Sequence, residues 1–408
     1  MTIVPFGAAP ERQRTAAAWE VLFIFLRLGV TCFGGPIAHI GYFRNEFVVR
    51  RRWLDERAYA DLVGLCQFLP GPASSQVGFS IGLMRAGYLG GLAAWTGFTL
   101  PSALVLVLFA YSAGALGGPI GLGLLHGLKL VAVAIVAQAV WGMARTLCPD
   151  RVRASIAVLA AHIILFVTSP FAQIGAIALG GVVGLWLCRT ISPSDSGHVA
   201  MPVSRRVGMA AFLAFGVLLF APPVLGQHGA PGGLSLFNAF YQSGALVFGG
   251  GHVVLPLLHE AFVTPGLVSD DAFLAGYGAA QAVPGPLFTF AAYLGVIVKL
   301  PPHGVAGAFL ALLGIFLPGI LILIGVLPFW DSLRSRPAAQ AIMRGVNAAV
   351  VGLLGAALYT PVWTSAVKSS GDFGLVLVGF VLLTVWRAPP LVVVAISAVG
   401  GIVLGQAA

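Results

Sequence analysis

The residues best suited to chemistry stand in two short words, each written twice. QFLPGP runs from Gln67 to Pro72 and QAVPGP from Gln281 to Pro286, while CFGGP spans Cys32–Pro36 and VFGGG spans Val247–Gly251. Proline removes a backbone donor and clashes with the preceding turn, and glycine loosens what remains, so each word should break a helix. A half-helix that begins at such a break offers free N–H groups and the positive end of its dipole, which suits an anion. Pro72 fits the first turn of such a half-helix, Ser74 and Ser75 fall within that turn, and Thr289 aligns with Ser75. Gln67 and Gln281 add amide donors on the approaching arms, and Pro70, Gly71, Pro284, Gly285 and Pro286 make the turns themselves. Gly34, Gly35 and Pro36, with Gly249, Gly250 and Gly251 in the other copy, let the backbone approach the same centre, and His252 stands beside it. Kinking and close packing are the ordinary uses of proline and glycine in membrane helices, but their recurrence in both copies favours the anion reading.

Ionisable residues inside apolar stretches are the second source of chemistry, because they are costly there. Arg27 in FIFLRLGV and Lys129 in HGLKLVAV are candidate point charges for an oxyanion, with snorkelling to the interface as the plainer role. His39, Glu46, Asp61, His259 and Glu260 lie near the expected hairpin arms and are candidate proton carriers; simple loop positions are the alternative. His259-Glu260 lacks the second histidine of a zinc-protease motif, and no P-loop or GxSxG appears. An enzyme or nucleotide-driven pump is therefore not expected, nor is a cofactor or metal. Cys32, Cys66, Cys148 and Cys188 are scattered without CxxC spacing and read as packing residues.

The elements that must position these residues follow from composition. The chain of 408 residues is 59% hydrophobic and 9% charged, with mean hydropathy +0.97. A soluble core cannot bury that much apolar surface, and runs such as 88–112 exceed the ~20 residues that cross a bilayer. The fold class is an all-α polytopic membrane protein, its partner the lipid bilayer. The net charge of +9 reads as loop arginines that set orientation rather than as a nucleic-acid surface. Matches at offsets of 214 to 218, including FTLP (Phe98–Pro101) with IFLP (Ile315–Pro318), mean two homologous halves. The first loop, 44–57, holds five arginines; its counterpart, 259–271, holds no Lys or Arg. Equivalent loops on opposite sides of the membrane mean an inverted repeat.

The expected path has a cytoplasmic N-terminal segment 1–17, a first repeat 18–190, a linker 191–235 with one span near 207–225, and a second repeat 236–408. Each repeat holds two broken or re-entrant helical hairpins and four spans. The first hairpin, about 18–43, turns at Gly34–Pro36, and its arms are expected to be too short to span. The second, 58–85, turns at Pro70–Pro72. Spans follow near 88–112, 121–144, 154–168 and 172–188. The second repeat turns at Gly249–Gly251 and Pro284–Pro286 before spans near 304–329, 338–360, 372–387 and 389–406. The small-residue stretch GGLAAWTG is a candidate surface for a homodimer.

Phe33–Gly82 and Phe248–Gly295, which carry both words, resemble the chromate ion transporter (CHR) family, long two-domain form, and the resemblance covers essentially the whole chain. It implies export of chromate from the bacterial cytoplasm across the inner membrane, driven by the proton motive force, with sulfate as a related oxyanion. It places the family's motifs on Gly34, Gly35, Pro36, Gln67, Pro70, Gly71, Pro72 and their second-half partners. The second half departs in reading Gly-Gly-Gly-His where the first reads Gly-Gly-Pro-Ile. Chromate and sulfate are both tetrahedral dianions, so the residues leave them unseparated. A transporter of sulfate or another oxyanion, exporter or importer, an anion channel and a membrane-embedded enzyme are the competing readings.

Overall fold

Every expected break interrupts a helix. In the computed structural model, which describes residues 11–113, 118–167, 172–189, 203–224, 232–248, 250–330, 333 and 336–407, the regular structure is helical throughout. The first half begins with α1 (Glu11–Thr31), which ends before the Phe-Gly-Gly word, and α2 (Gly35–Phe43), which continues as a π-helical turn, Arg44–Arg50. Next come α3 (Glu56–Phe68) and, beyond Pro70–Pro72, α4 (Ala73–Ala113). Then follow α5 (Gly118–Leu147), α6 (Arg151–Phe166) and α7 (Ala172–Leu187), and the linking helix α8 (Arg205–Val224).

The second half repeats the plan. Its first hairpin is α9 (Gly233–Ala245) and α10 (Val254–Phe262); its second is α11 (Asp270–Ala282) and α12 (Phe290–Ile297). Then come α13 (Gly304–Val326), α14 (Pro337–Ala357), α15 (Ser370–Thr384) and α16 (Pro390–Ala407). Even the caps correspond: Asp55 accepts from Ala58 N at the start of α3, and Ser269, 214 residues later, accepts from Ala272 N at the start of α11. Each cap satisfies an otherwise orphaned N–H of its first turn.

α4 is two limbs in one. Ala86 and Gly87 leave helical geometry, with Gly87 at φ +68°, and the limbs 73–85 and 88–113 fold onto each other. A Cβ on Gly82 would lie 2.2 Å from the Gly90 carbonyl oxygen, so only glycine permits this approach. In the second half Gly295 meets Gly307 in the same way, at 2.4 Å.

The halves are not side-by-side domains; they exchange helices. α5 packs on α15 and α16 of the other half, and α14 packs on α6 and α7. Gly127 lies against the Ser397 carbonyl at 2.1 Å, and its counterpart Gly345 against the Gly180 carbonyl at 2.0 Å, distances measured from the Cβ each lacks. Such reciprocal contacts are the mark of two-fold symmetry, here internal to one chain. The single helix α8 links the two halves. This is the two-repeat, inverted, all-helical plan expected from the sequence.

The bounds differ in places. α1 begins at Glu11 and has 21 residues, longer than the expected arm, but its extra turns are the charged stretch Glu11–Arg14. α6, α7 and α15 have 16, 16 and 15 residues, shorter than a full crossing requires. Among the described residues, four helical segments are long and apolar enough to cross a membrane by length and composition: α4, α5, α13 with its 3-10 extension and α14 with its extension to Ala366. Within GGLAAWTG, Gly90, Gly91 and Gly97 are spent inside the molecule, against Gly82, the Phe79 ring and the Leu22 carbonyl. Large apolar side chains such as Phe23, Leu108, Phe166, Trp186 and Phe309 lie exposed on the outside, as a lipid-facing surface requires.

Candidate functional site

The two kinds of word meet crosswise. Gly71 of the first Pro-Gly-Pro donates its N–H to the Val247 carbonyl at 2.7 Å, just before the second half's glycine cluster. Gly285 of the second Pro-Gly-Pro donates to the Cys32 carbonyl at 2.9 Å, just before the first half's cluster. Gly71 (φ +115°) and Gly285 (φ +103°) are both left-handed, a conformation that costs other residues about 1–2 kcal/mol. The approach is close as well: a Cβ on Gly71 would lie 2.9 Å from Gly319 Cα, and one on Gly285 would lie 2.9 Å from Ser102 Oγ. Both partners sit beside the repeated Leu-Pro of α4 and α13. The two glycine clusters also lie close, and a Cβ on Gly251 would stand 3.2 Å from the Pro36 ring. All four breaks thus converge, each word bound to the other half.

Most of the buried polar side chains at this crossing lie on the first-half side. Ser74, Ser75 and Gln76, in the first turn of α4, are buried, as are Ser80, Thr99 and Ser102. His39, fully buried, has Nδ1 3.4 Å from Ser74 Oγ and its ring edge-on to Phe98 at 5.1 Å. Gln76 Nε2 donates to the Pro70 and Gly319 carbonyls, both at 2.9 Å, and so ties the first break to α13 of the other half. Gln76 escaped the sequence reading; its signal was a buried amide one turn past a break. Ser75 Oγ, Gln76 Oε1, Thr99 Oγ1 and His39 Nε2 are buried without a hydrogen-bond partner among the described residues. Unpartnered polar atoms in an interior cost about 1–3 kcal/mol each, so this cluster is the candidate site.

The second half fills its equivalent place differently. At the same offsets Val254 stands for His39, Phe288 for Ser74, Phe290 for Gln76 and Phe316 for Thr99. Phe288 stacks near Phe316 at 5.8 Å, and Trp95 meets Phe316 edge-on at 5.7 Å. Thr289 turns its hydroxyl back to the Pro286 carbonyl at 2.7 Å. His252 Nδ1 lies 2.7 Å from the Tyr277 hydroxyl, which Gln281 also faces.

The remaining sequence candidates lie elsewhere. Arg27 is exposed: the buried stripe of α1 runs through Val21, Ile24, Phe25, Leu28 and Cys32, and Arg27 falls off it. Lys129 Nζ pairs with Asp271 Oδ1 at 2.8 Å at the start of α11, so its charge is answered away from the crossing. Gln67 is exposed at the end of α3. Asp61 is buried and accepts from Trp330 Nε1 at 3.4 Å. Glu46 accepts from Arg51 Nε at 2.7 Å and Arg50 Nη1 at 3.1 Å. Burial alone would raise its pKa, but those hydrogen bonds outweigh it and hold the carboxyl below its usual range. His259 Nε2 bonds Asp270 at 2.8 Å, and Glu260 accepts from Thr264 at 3.0 Å. Gly249 lies outside the described residues, while Gly34 and Gly35 carry positive φ, +97° and +74°.

Fold and site together define a two-repeat helical membrane protein with a shared centre made from broken helices. The chain belongs to the chromate transporter family, whose sequence profile matches residues 19–185 and again 234–402. It is 27% identical over 399 residues to the chromate transport protein of Pseudomonas aeruginosa, covering 92% of this chain and 89% of that one. It is 26% identical to the probable chromate transport protein of Synechococcus elongatus, covering 93% of each. The uncharacterized transporter YwrA of Bacillus subtilis is 29% identical over 175 residues, which are 96% of its length and 41% of this chain; one repeat is thus almost the whole of that protein. No solved structure matches.

Proposed function

We propose that this chain is a secondary transporter that exports chromate from the cytoplasm across the bacterial inner membrane by alternating access, driven by the proton motive force. The arginines of 44–57 favour a cytoplasmic N-terminus. The reading rests chiefly on the buried, unpartnered polar atoms around His39 and the first turn of α4. There His39 Nδ1 stands 3.4 Å from Ser74 Oγ at the N-terminus of α4, whose first turn also carries the Ser75 hydroxyl and the N–H groups of 73–75. A tetrahedral dianion that sheds its water there gains hydrogen bonds that the chain by itself leaves unmade. The second half supplies an apolar wall of Phe288, Phe290 and Phe316 and, through Gly71–Val247 and Gly285–Cys32, a backbone clamp. One half rocks against the other about these crossings, exposing the centre to each side in turn. Of the proton-carrier candidates offered by the sequence (His39, Asp61, Glu46, His259 and Glu260), His39 stands nearest the centre. Sulfate has the same shape and charge and is the natural competitor.

The test is chromate accumulation in everted vesicles, with and without an imposed proton gradient and with sulfate as competitor. Gradient-driven accumulation that falls at least tenfold in His39→Gln and Ser75→Ala supports the reading. Accumulation of sulfate but not chromate overturns the substrate, and flux that never rises above equilibrium makes the protein a channel.

A further inference from the structure

We propose that the proton used in transport binds at the His126–Asp372 pair, which joins the two halves away from the anion centre. This rests on the reading of the chain as a proton-coupled transporter. His126 lies on α5 of the first half and Asp372 in the first turn of α15 of the second; His126 Nε2 is 2.7 Å from Asp372 Oδ1. The carboxylate is otherwise saturated. Its Oδ2 accepts from the Lys368 and Ser369 N–H groups at 2.9 and 3.0 Å, and Ser369 Oγ accepts in return from Asp372 N at 3.1 Å. The Asp372 side chain is 5% exposed and that of His126 25%, so the acid is held inside while the imidazole is partly exposed.

Internal symmetry argues for this pair over the others. At the offset of 218 that relates Gly127 to Gly345, His126 corresponds to Arg344 and Asp372 to Ala154. Arg344 donates to the Cys188 carbonyl at 3.1 Å, and a guanidinium does not release its proton in proteins. One of two equivalent interfaces between the halves therefore carries a titratable pair and the other a fixed charge. His259–Asp270 lies within one half, and Asp270 is 45% exposed. Lys129–Asp271 spans the halves, but Asp271 is 75% exposed. The elements packed on α5 add few rivals: α15 carries Asp372 alone, α16 no ionisable group, α14 Arg344, α11 Asp270, Asp271 and Tyr277, and 358–366 Tyr359; α5 itself adds Lys129 and Arg145, and Lys368 precedes α15.

The helix that carries His126 also meets the second half's second hairpin. Two residues past His126, the Leu128 carbonyl would lie 2.1 Å from a Cβ on Gly278, so α5 and α11 meet backbone to backbone. Gly278 follows Tyr277, the partner of His252, and α11 leads into Pro284-Gly285-Pro286. Without the extra proton a neutral His126 donates Nε2–H to the carboxylate. With it, the imidazolium on α5 faces the carboxylate on α15 and grips the two halves together; losing it on the far side loosens them. Attraction between such charges is large where water is scarce.

The test uses purified protein in proteoliposomes, comparing chromate–chromate exchange, which needs no net proton movement, with accumulation driven by a pH gradient. His126→Gln removes the titration, and His126→Arg keeps an ion pair to Asp372 while copying the fixed charge of Arg344. The expected result is a ratio of accumulation to exchange at least tenfold lower in both variants, with the pH dependence of exchange flattened. A ratio within twofold of wild type, or accumulation and exchange falling in parallel, overturns the proposal. If wild type ignores the gradient, the coupled-transport reading itself fails and takes this inference with it.

Discussion

The first-half and second-half Pro-Gly-Pro centres share a backbone and differ in nearly every side chain around it. Both turn at a left-handed glycine, both donate that glycine's N–H across the molecule, and both press on a Leu-Pro segment of the other half. Yet the first is lined by His39, Ser74, Ser75, Gln76 and Thr99, and the second by Val254, Phe288, Phe290 and Phe316. Geometry in a duplicated chain is held by reciprocal contacts, so neither half can change its breaks alone. Side chains facing the centre are under no such constraint, and polarity has gathered in one copy while the other provides a rigid apolar face.

The shared part is broken most severely at its glycines. Gly71→Ala combines left-handed strain of about 1–2 kcal/mol with a clash against the Gly319 backbone, and is expected to abolish both a sharp melting transition in detergent and transport. Gly285→Ala should do the same less completely, because its nearest neighbour is the Ser102 hydroxyl, which can rotate. Equal damage, or none, would show that the two crossings are not the hinges of one symmetric clamp.

The side chains are separated by Phe290→Leu and Gln76→Leu. Gln76→Leu leaves the Pro70 and Gly319 carbonyls unpaired, about 1–3 kcal/mol for each group, and lowers the melting temperature together with transport. Phe290→Leu shaves a packed ring, costs about 1–2 kcal/mol, and leaves transport within a fewfold of wild type once the melting loss is allowed for. Transport more sensitive to Phe290 than to Gln76 would reverse the division of labour.

Thr289→Val sharpens the comparison further. Its hydroxyl is already engaged by the Pro286 carbonyl, so transport should fall less than threefold, against the tenfold or greater fall expected for Ser75→Ala, the aligned residue. Transport assays on the pair at matched expression decide this.

The smallest effect concerns Glu46. Its folded pKa lies below the ordinary value of 4.5, so its contribution to stability is fully present above that value and is lost as pH falls through the lower, folded one. Melting temperature measured from pH 7 down to about 3 should drop more steeply in wild type than in Glu46→Gln, by a few degrees. Parallel curves would mean that the arginines near Glu46 only set orientation.

Much of this was legible without coordinates. The breaks at Gly34–Pro36 and Pro70–Pro72 and their second copies, the duplication and the helical membrane class all follow from backbone chemistry and composition. The failures share a cause. Arg27 and Lys129 were chosen by type, but whether a charge reaches the centre depends on which face of the helix is buried, and Arg27 sits one position from Leu28 on the wrong side. Gln76 was passed over because its importance lies in a carbonyl 243 residues away. No local signal singles out His126, for its partner Asp372 is 246 residues distant.

By itself, then, the sequence determined where helices must stop, that the chain is written twice, and that it belongs in lipid, because proline, glycine and apolar runs act locally on any backbone that carries them. Only the tertiary structure decided that each word binds the other half's word, that helices are exchanged between halves, and that polarity collects mostly on one side of the crossing. Those outcomes depend on long-range packing, where the partner of a side chain is set by the faces that helices turn toward one another.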